Sequence, residues 1–216
     1  MSARGRVVVK VCGLTRLEDA RAAFETGADW LGFIVHAQSP RALEAERAAE
    51  ILAALPGASG VAVMVDVAPD EALSLAHRAG AARVQLHRVD PAIWPADFPL
   101  PATFVVPVGA DGRLAAPAPG PQHLMMLDTA DAARDGGTGR TFPWAAARTL
   151  CAGRHVMLAG GLAADNVAAA LERVRPFGVD ASSRLESSPG VKDPERVRRY
   201  VAAVRNWERA FASEEP

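Results

Sequence analysis

The sequence predicts an α/β protein with the (β/α)₈ (TIM) barrel architecture, and three patterns support this fold class. Eight short runs of apolar or β-branched residues recur along the chain, at 7–12, 30–35, 60–65, 82–86, 103–108, 123–128, 155–160 and 178–182. Their near-continuous apolarity is typical of parallel strands covered on both faces. Segments with helical spacing separate or follow most of these runs, at 16–27, 44–55, 69–80, 163–174 and 194–207. Eight evenly spaced strands, with no G-x-G-x-x-G turn after the first, favour a closed barrel over an open doubly wound sheet.

Glycine and aspartate mark the predicted helix ends. Gly27, Gly80 and Gly178 each follow a helical pattern and precede a strand, so we expect them to be left-handed stops at helix C-termini. Asp165 and Asp193 stand just ahead of helical runs, where a carboxylate caps free backbone N–H groups.

Two connections between predicted strands are poorly helical. Residues 89–101 (VDPAIWPADFPLP) allow one helical turn at most, and residues 109–122 (GADGRLAAPAPGPQ) read as a Pro/Gly loop. We therefore expect a barrel with a shortened or missing fifth helix. Since the composition does not change along the chain, residues 1–216 are expected to form a single (β/α)₈ barrel domain.

Composition and charge argue against several classes of protein. Half of the 216 residues are hydrophobic, the formal net charge is −1, and no apolar run reaches the ~18 residues of a membrane span. Two cysteines do not make a disulfide framework, and the N-terminal apolar stretch is too short for a signal peptide. We expect a cytoplasmic protein with no nucleic-acid or membrane partner. The C-terminal arginines are interpreted as a solvated helix face: Arg196, Arg198, Arg199 and Arg205.

Polar residues collect where predicted strands end, which is where barrel enzymes carry their chemistry. Cys12 is either a small buried hydrophobe or a thiolate whose pKa is lowered by nearby positive charge. Asp128 either caps the next segment or supplies an acid across the barrel mouth from Cys12. Cys151, at a predicted helix end, is interpreted as structural. No Cys/His/carboxylate spacing indicates a metal site.

Three glycine-containing loops follow the late strands, at 135–141, 158–166 and 182–193. Each is compatible with a flexible turn, but together they fit the phosphate site that backbone N–H groups form at the late strands of a barrel. A phosphorylated small molecule is therefore the expected substrate class. Arg41, after the second strand, is either solvent-exposed or a bidentate donor to a carboxylate.

Seven segments spread over nearly the whole chain carry a resemblance to a known family. They read KVCGLTRLEDA (10–20), GADWLGFIVHAQSPRAL (27–43), VQLH (84–87), LDT (127–129), GGTGRTFPW (136–144), LAGGLAADNV (158–167) and GVDASSRLESSPGVKD (178–193). In this order they resemble the phosphoribosylanthranilate isomerase family of tryptophan biosynthesis. The resemblance implies a (β/α)₈ fold with a short fifth helix.

The resemblance also implies a reaction and its residues. N-(5-phosphoribosyl)anthranilate would undergo an Amadori rearrangement to 1-(2-carboxyphenylamino)-1-deoxyribulose 5-phosphate, with no metal or organic cofactor. Cys12 matches the general base and Asp128 the general acid, while Arg41 matches the residue that holds the anthranilate carboxylate. The matching phosphate-binding positions are Gly137, Gly160, Gly161, Ser183 and Arg184. The implied partner is a small phosphorylated carboxylate, and the expected assembly is a monomer or homodimer.

Two positions depart from the family pattern. Arg88 stands where the family has the glycine of QLHG, and Arg184 where it has the glycine of SSGVE. Glycine at such positions permits a positive φ or a close approach of backbone to ligand. Arg184 therefore either crowds the phosphate or adds a contact to it. Two alternatives stay open: a paralogous isomerase acting on another phosphorylated amino sugar, and a non-catalytic barrel that binds a phosphorylated ligand.

Overall fold

Eight parallel strands form a closed barrel in a computed structural model that describes residues 6–129, 143–151 and 153–213. β1 pairs with both β2 and β8, so that Val8 lies opposite Gly178 and Val11 opposite Ala181. The predicted fold class is therefore confirmed. The strands are β1 (Val8–Val11), β2 (Trp30–His36), β3 (Gly60–Val65), β4 (Arg83–His87), β5 (Ala102–Val108), β6 (Leu124–Thr129), β7 (Val156–Leu158) and β8 (Gly178–Ala181).

Helices surround the barrel except beside β4 and β5. A single 3₁₀ turn (Pro91–Ile93) occupies the connection after β4, and the described loop 109–122 after β5 contains no helix. The expected loss of the fifth helix is thus confirmed. The α-helices in the described ranges are α1 (Leu17–Glu25), α2 (Ala45–Ala53), α3 (Pro69–Arg78), α4 (Ala145–Cys151), α5 (Val167–Val174) and α6 (Pro194–Ser213).

Two of the three predicted glycine stops are correct. Gly27 and Gly80 have φ values of +94° and +63° and follow the ends of α1 and α3. The prediction for Gly178 is wrong, because this residue lies inside β8. Arg175 ends α5 instead, in a left-handed conformation with φ +54°.

One of the two predicted aspartate caps is correct. The Asp193 carboxylate accepts hydrogen bonds from the N–H groups of Glu195 and Arg196 in the first turn of α6. The sequence predicts Asp165 as an N-cap or near-cap, and it stands one residue before the N-cap Asn166, but no capping hydrogen bond to its carboxylate is found among the described residues. α5 begins four residues later than its sequence pattern suggested, after Asn166, and the Asp165 carboxylate pairs with Arg184 instead.

Apolar side chains form two separate layers, one between the barrel and its helices and one inside the barrel. The inner layer contains Trp30, Val61, Val63, Met126 and Met157, together with Cys12. Lys10 and Asp180 are buried on β1 and β8, so the polar residues of the interior belong to the strands that close the barrel.

The C-terminal helix α6 holds the first strand in place. Val197, Tyr200 and Val204 are buried, whereas Arg198 and Arg199 are exposed as the sequence predicted. Arg205 differs from that prediction, since its guanidinium donates to the carbonyl oxygens of residues 7 and 27 and pairs with Asp29 at 2.7 Å. None of the described helices has the length and apolarity that a membrane span requires.

Candidate active site

Cys12 follows β1 directly and points into the mouth of the barrel. Its side chain is 6% exposed, and its sulfur lies beside the Lys10 ammonium across Gly32 of β2. A Cβ atom on Gly32 would lie 2.9 Å from Lys10 Nζ and 3.0 Å from Cys12 Sγ. Glycine is therefore required at this position if both side chains are to occupy the barrel mouth.

Lys10 forms a buried ion pair with Asp180, the Nζ–Oδ1 distance being 3.0 Å. Although burial lowers the pKa of the Lys10 ammonium, the charges of Asp180 and Cys12 raise it above its usual value. Lys10 is thus a cation beside the thiol. Asp180 also acts electrostatically on both Cys12 and Asp128. The ion pair therefore lies within reach of both predicted catalytic residues.

The charge state of Cys12 differs from the sequence-based expectation. Burial raises the pKa of the Cys12 thiol, and the opposing effects of Lys10 and Lys192 do not offset it. The free protein therefore holds Cys12 as a thiol at neutral pH, and the expected lowering of its pKa is wrong for this state. The two lysines still stabilise a thiolate once it forms.

Asp128 lies within β6, near its carboxyl end, and has the properties of a general acid. Burial raises the pKa of its carboxyl group from 3.8 to about 6, and the nearby Asp180 charge contributes to the increase. The Thr129 backbone N–H donates to Asp128 Oδ1 at 2.7 Å and fixes the carboxyl group. A group with a pKa near the working pH donates and accepts protons efficiently.

Gly160 and Gly161 follow β7 with φ values of +86° and +64°. A Cβ atom on Gly160 would lie 2.9 Å from Asp128 Oδ1, so a larger residue would displace the carboxyl group. The backbone N–H groups of Gly160, Gly161 and Ser183 donate no hydrogen bond to any other described residue. They are therefore available to an anion.

A small pocket brings five of the predicted site residues together between the ends of β6, β7 and β8. Its lining includes Asp128, Gly160, Gly161, Ser183 and Arg184, with Asp180 at its base. Cys12 adjoins this group, since Ser182 Oγ donates to its carbonyl oxygen at 3.0 Å. Gly137, the remaining predicted phosphate contact, lies outside the described residues.

The two arginines at family glycine positions differ in conformation. Arg88 has φ +54°, so it occupies the left-handed region that glycine favours, and its guanidinium pairs with Asp66 at 2.6 Å. Arg184 does not have this left-handed conformation, because its φ is not positive. Its guanidinium donates to the Gly161 carbonyl at 3.1 Å and pairs with Asp165 at 2.6 Å. In the free protein Arg184 thus joins two loops.

Arg41 lies beside Cys12 rather than in open solvent. Its Nε and Nη2 atoms donate to the two oxygens of Glu186 at 2.8 and 2.7 Å. The edge of the guanidinium formed by Nε and Nη2 is therefore occupied by Glu186. The end-on edge, which includes Nη1, is left to donate to a substrate carboxylate. Glu186 also accepts from Lys192 Nζ at 2.8 Å.

Four buried residues of the mouth were missed by sequence reasoning: Lys10, Asp180, Glu186 and Lys192. A usable signal existed for the first two, because a charged residue inside an otherwise apolar strand needs a partner. Glu186 and Lys192 belong to a short hairpin of β9 (Glu186–Ser188) and β10 (Val191–Lys192) that has no apolar pattern. Counting Arg41, the mouth holds three cations and three carboxyl groups, of which Asp180 and Glu186 are paired with cations and Asp128 is not.

His87 and Gln85 complete the mouth on β4. Burial lowers the pKa of His87 to about 4, so the ring is neutral, and Gln85 Nε2 lies 3.0 Å from His87 Nε2. The Gln85 Oε1 atom is buried and has no hydrogen-bond partner among the described residues. Sequence reasoning placed His87 at a strand end but gave it no role.

Comparison with known proteins agrees with this geometry. The family model for N-(5'-phosphoribosyl)anthranilate (PRA) isomerase matches residues 9–203. This chain belongs to the phosphoribosylanthranilate isomerase family.

Individual members of the phosphoribosylanthranilate isomerase family support the assignment. The isomerase of Rubrobacter xylanophilus is 40% identical over 206 residues, which is 92% of this chain and 98% of that protein. The Thermus thermophilus structure has a TM-score of 0.80 at 35% identity and covers 93% of this chain and 99% of its own. A structure of monomers made from the dimeric Thermotoga maritima isomerase has a TM-score of 0.77 at 29% identity, with 93% and 99% coverage.

Proposed function

We propose that this protein converts N-(5'-phosphoribosyl)anthranilate into its aminoketose in tryptophan biosynthesis, with Asp128 as general acid and Cys12 as general base. The carrying observation is the pairing of a carboxyl group of pKa about 6 with a thiol next to a lysine, both under the influence of Asp180. Binding alone needs neither an acid nor a base, so the non-catalytic alternative does not account for this arrangement.

The proposed reaction begins at the ribose ring. Protonated Asp128 donates its proton to the furanose ring oxygen, the C1–O bond breaks, and the anthranilate nitrogen lone pair forms the C1=N bond of a Schiff base. Cys12 loses its thiol proton to solvent, Lys10 and Lys192 stabilise the resulting thiolate, and the thiolate then removes the C2 proton. The electron pair of the C–H bond forms a C1=C2 double bond, which returns the nitrogen lone pair and gives the enolamine. Tautomerisation of the enolamine yields the ketone.

The other residues bind the two anionic ends of the substrate. The unused N–H groups of Gly160, Gly161 and Ser183 fit a phosphate, which backbone donors hold well. Gly137 is assigned to the same group by its match to the family. The end-on edge of Arg41 fits the anthranilate carboxylate, because Glu186 fixes the guanidinium plane beside Cys12. Arg184 supports the phosphate loop through the Gly161 carbonyl.

The first experiment is a turnover assay on phosphoribosylanthranilate generated in situ, followed by the loss of its fluorescence. Replacing Asp128 by Asn should lower kcat by roughly 10²- to 10⁴-fold, the usual contribution of a general acid. Asp70→Asn, the same change on the outer helix α3, is the control and should leave kcat unchanged. Near-normal turnover by Asp128→Asn would contradict the acid assignment. A folded wild type without turnover would contradict the substrate.

A further inference from the structure

A second cavity lies at the opposite end of the barrel, where the strands begin. Its volume is about 300 Å³, which is at the lower end of the range for small-molecule sites. Trp30, Arg83, Ala102 and Leu124 line it, and each lies at or next to the first residue of a strand. The proposed reaction makes no use of this cavity, because Cys12 and Asp128 lie at the carboxyl ends of the strands.

Arg83 gives the cavity a positive charge without a counter-ion. Its guanidinium stacks on the Trp30 ring at 4.2 Å, and its buried Nε atom has no hydrogen-bond partner among the described residues. No residue lining the cavity is acidic. Burial lowers the pKa of the guanidinium, and no carboxylate opposes this effect. The stacking on Trp30 contributes to stability, but it leaves the positive charge of Arg83 without an anionic partner among the described residues.

Most of the remaining walls are apolar or aromatic, with Gln122 and His123 as further polar residues. The rings of His155 and Phe177 stack at 4.6 Å with an interplanar angle of 17°, and Phe177 also approaches Trp30 at 6.3 Å. Pro101 and Pro121 line the cavity as well and have no N–H to donate. Arg83 is the one lysine or arginine in the lining, and a single arginine suits a carboxylate.

We infer that this cavity is a binding site for a small aromatic carboxylate, whose anionic group pairs with Arg83 and whose ring packs among Trp30, His155 and Phe177. The site is distinct from the catalytic mouth, and occupying it does not require the proposed reaction to be correct. A single-ring monocarboxylate fits within the volume of about 300 Å³ and supplies the one negative charge that Arg83 can pair with.

Titration of the purified protein with benzoate, followed by calorimetry, tests the inference. Binding with a dissociation constant of about 1 mM or tighter is expected for a ligand of this size. Benzamide, which has the same shape without the charge, and inorganic phosphate should each bind at least tenfold more weakly. Arg83→Met keeps the side-chain stem on Trp30 and should weaken benzoate binding at least tenfold.

Two arginine variants serve as matched controls. Arg78→Met changes an exposed arginine that pairs with Glu46, and Arg41→Met removes the guanidinium of the catalytic mouth. Arg78→Met should bind benzoate as the wild type does, Arg41→Met should keep the binding that depends on Arg83 and lose any that the catalytic mouth adds, and Arg83→Met should retain wild-type turnover. Absence of benzoate binding, or binding lost with Arg41 and not with Arg83, would overturn the inference. A change in oligomeric state on adding benzoate or in Arg83→Met would also overturn it, because the cavity would then receive a second copy of the chain.

A measurement on the wild type keeps the test independent of how Arg83→Met folds. Benzoate should shift the Nε–Hε resonance of Arg83 in a nitrogen–proton correlation spectrum and give Overhauser contacts from its ring protons to the Trp30 indole. Contacts to other residues only would contradict the site.

Discussion

Three carboxyl groups share the barrel mouth, and their neighbours set different charge states. Burial raises the pKa of Asp180, and the Lys10 ammonium at 3.0 Å opposes this effect. Glu186 is held below its usual pKa, because hydrogen bonds from Arg41 and the charge of Lys192 outweigh its burial. Asp128 has a backbone N–H as its donor and no arginine or lysine at ion-pair distance in the described structure, so burial raises its pKa. Asp128 combines a pKa of about 6 with the absence of a cationic partner at ion-pair distance among the described residues, so it is the carboxyl group best placed to exchange a proton with a ligand.

Replacing Asp128 by Asn should stabilise the protein while abolishing most of its activity. The wild-type carboxyl group binds its proton more tightly when folded, with the pKa rising from 3.8 to about 6, so its ionisation destabilises the folded state. A pKa that differs by about two units between the folded and unfolded states corresponds to about 3 kcal/mol. This value is the upper bound for the increase in unfolding free energy that Asp128→Asn should give at neutral pH. Urea unfolding should show little difference near pH 4, a growing advantage of the variant between pH 4 and 6, and a constant one above pH 7. An advantage that does not depend on pH would contradict the raised pKa.

The raised pKa of Cys12 predicts slow alkylation in the free protein. At pH 7.5 iodoacetamide should label Cys12 more slowly than it labels a free thiol, and the rate should rise about tenfold per pH unit up to the thiol pKa. Burial raises the pKa of Cys151 to about 11, so its contribution is removed by using a Cys151→Ala background. Fast labelling at neutral pH, measured by mass spectrometry, would show instead that the thiolate is already formed.

At the scale of elements, the loops after β7 and β8 act as one unit because Arg184 joins them. Its guanidinium donates to the Gly161 carbonyl, 23 positions earlier in the chain, and to the Asp165 carboxylate, 19 positions earlier. This arrangement explains why an arginine is tolerated at a position where the family has glycine. The guanidinium turns toward the neighbouring loop, and the backbone needs no positive φ.

Arg184→Ala should raise the KM for phosphoribosylanthranilate several-fold and leave kcat within about twofold. The reason is that the phosphate loop loses a support, whereas the acid and the base are untouched. Asp165→Asn removes the charge that faces Arg184 and keeps the bond to the Gly161 carbonyl, so its effect should be smaller. Steady-state kinetics of the three proteins measure both constants. A kcat that falls with an unchanged KM would contradict this role.

Element positions were predictable from the sequence to a greater extent than contacts across the fold. Apolar runs predicted the eight strands because a parallel strand that is buried on both faces is composed almost entirely of apolar residues. The start of α5 was missed, since residues 163–166 have the composition of a helix but form hydrogen bonds around the Asn166 side chain. The pairing of Arg41 with Glu186 joins residues 145 positions apart, and no local pattern carries that information. For Lys10 and Asp180 the sequence signals that each buried charge needs a partner, but it does not say which residue that partner is.

At the scale of the whole molecule, closure of the barrel and assembly of the active site are the same event. β1 contributes Lys10 and leads into Cys12, and β8 contributes Asp180 and leads into Ser182. The two strands pair over four residues, from Val8–Gly178 to Val11–Ala181. The catalytic base therefore acquires its electrostatic surroundings when the last strand joins the first.

The Lys10–Asp180 pair should show strong coupling in a double-mutant cycle. Lys10→Met leaves a buried carboxylate without its partner and should cost about 3–5 kcal/mol of unfolding free energy. The double variant Lys10→Met/Asp180→Leu should recover most of that loss, because no buried charge remains. Denaturant unfolding of the four proteins gives the coupling energy. Additive effects of the two single changes would contradict the importance of the pair.

The seam between β1 and β8 has a consequence for how the protein is made. A ribosome synthesises Lys10 well before Asp180, and Arg205, whose guanidinium donates to the carbonyl oxygens of residues 7 and 27, follows later still. Until Asp180 is made, burying Lys10 inside a partial barrel would leave its charge without a counter-ion. The cost of burying that charge disfavours a stable but incomplete barrel. The residue that makes a partial chain unfavourable is the same one that stands beside Cys12 in the finished enzyme.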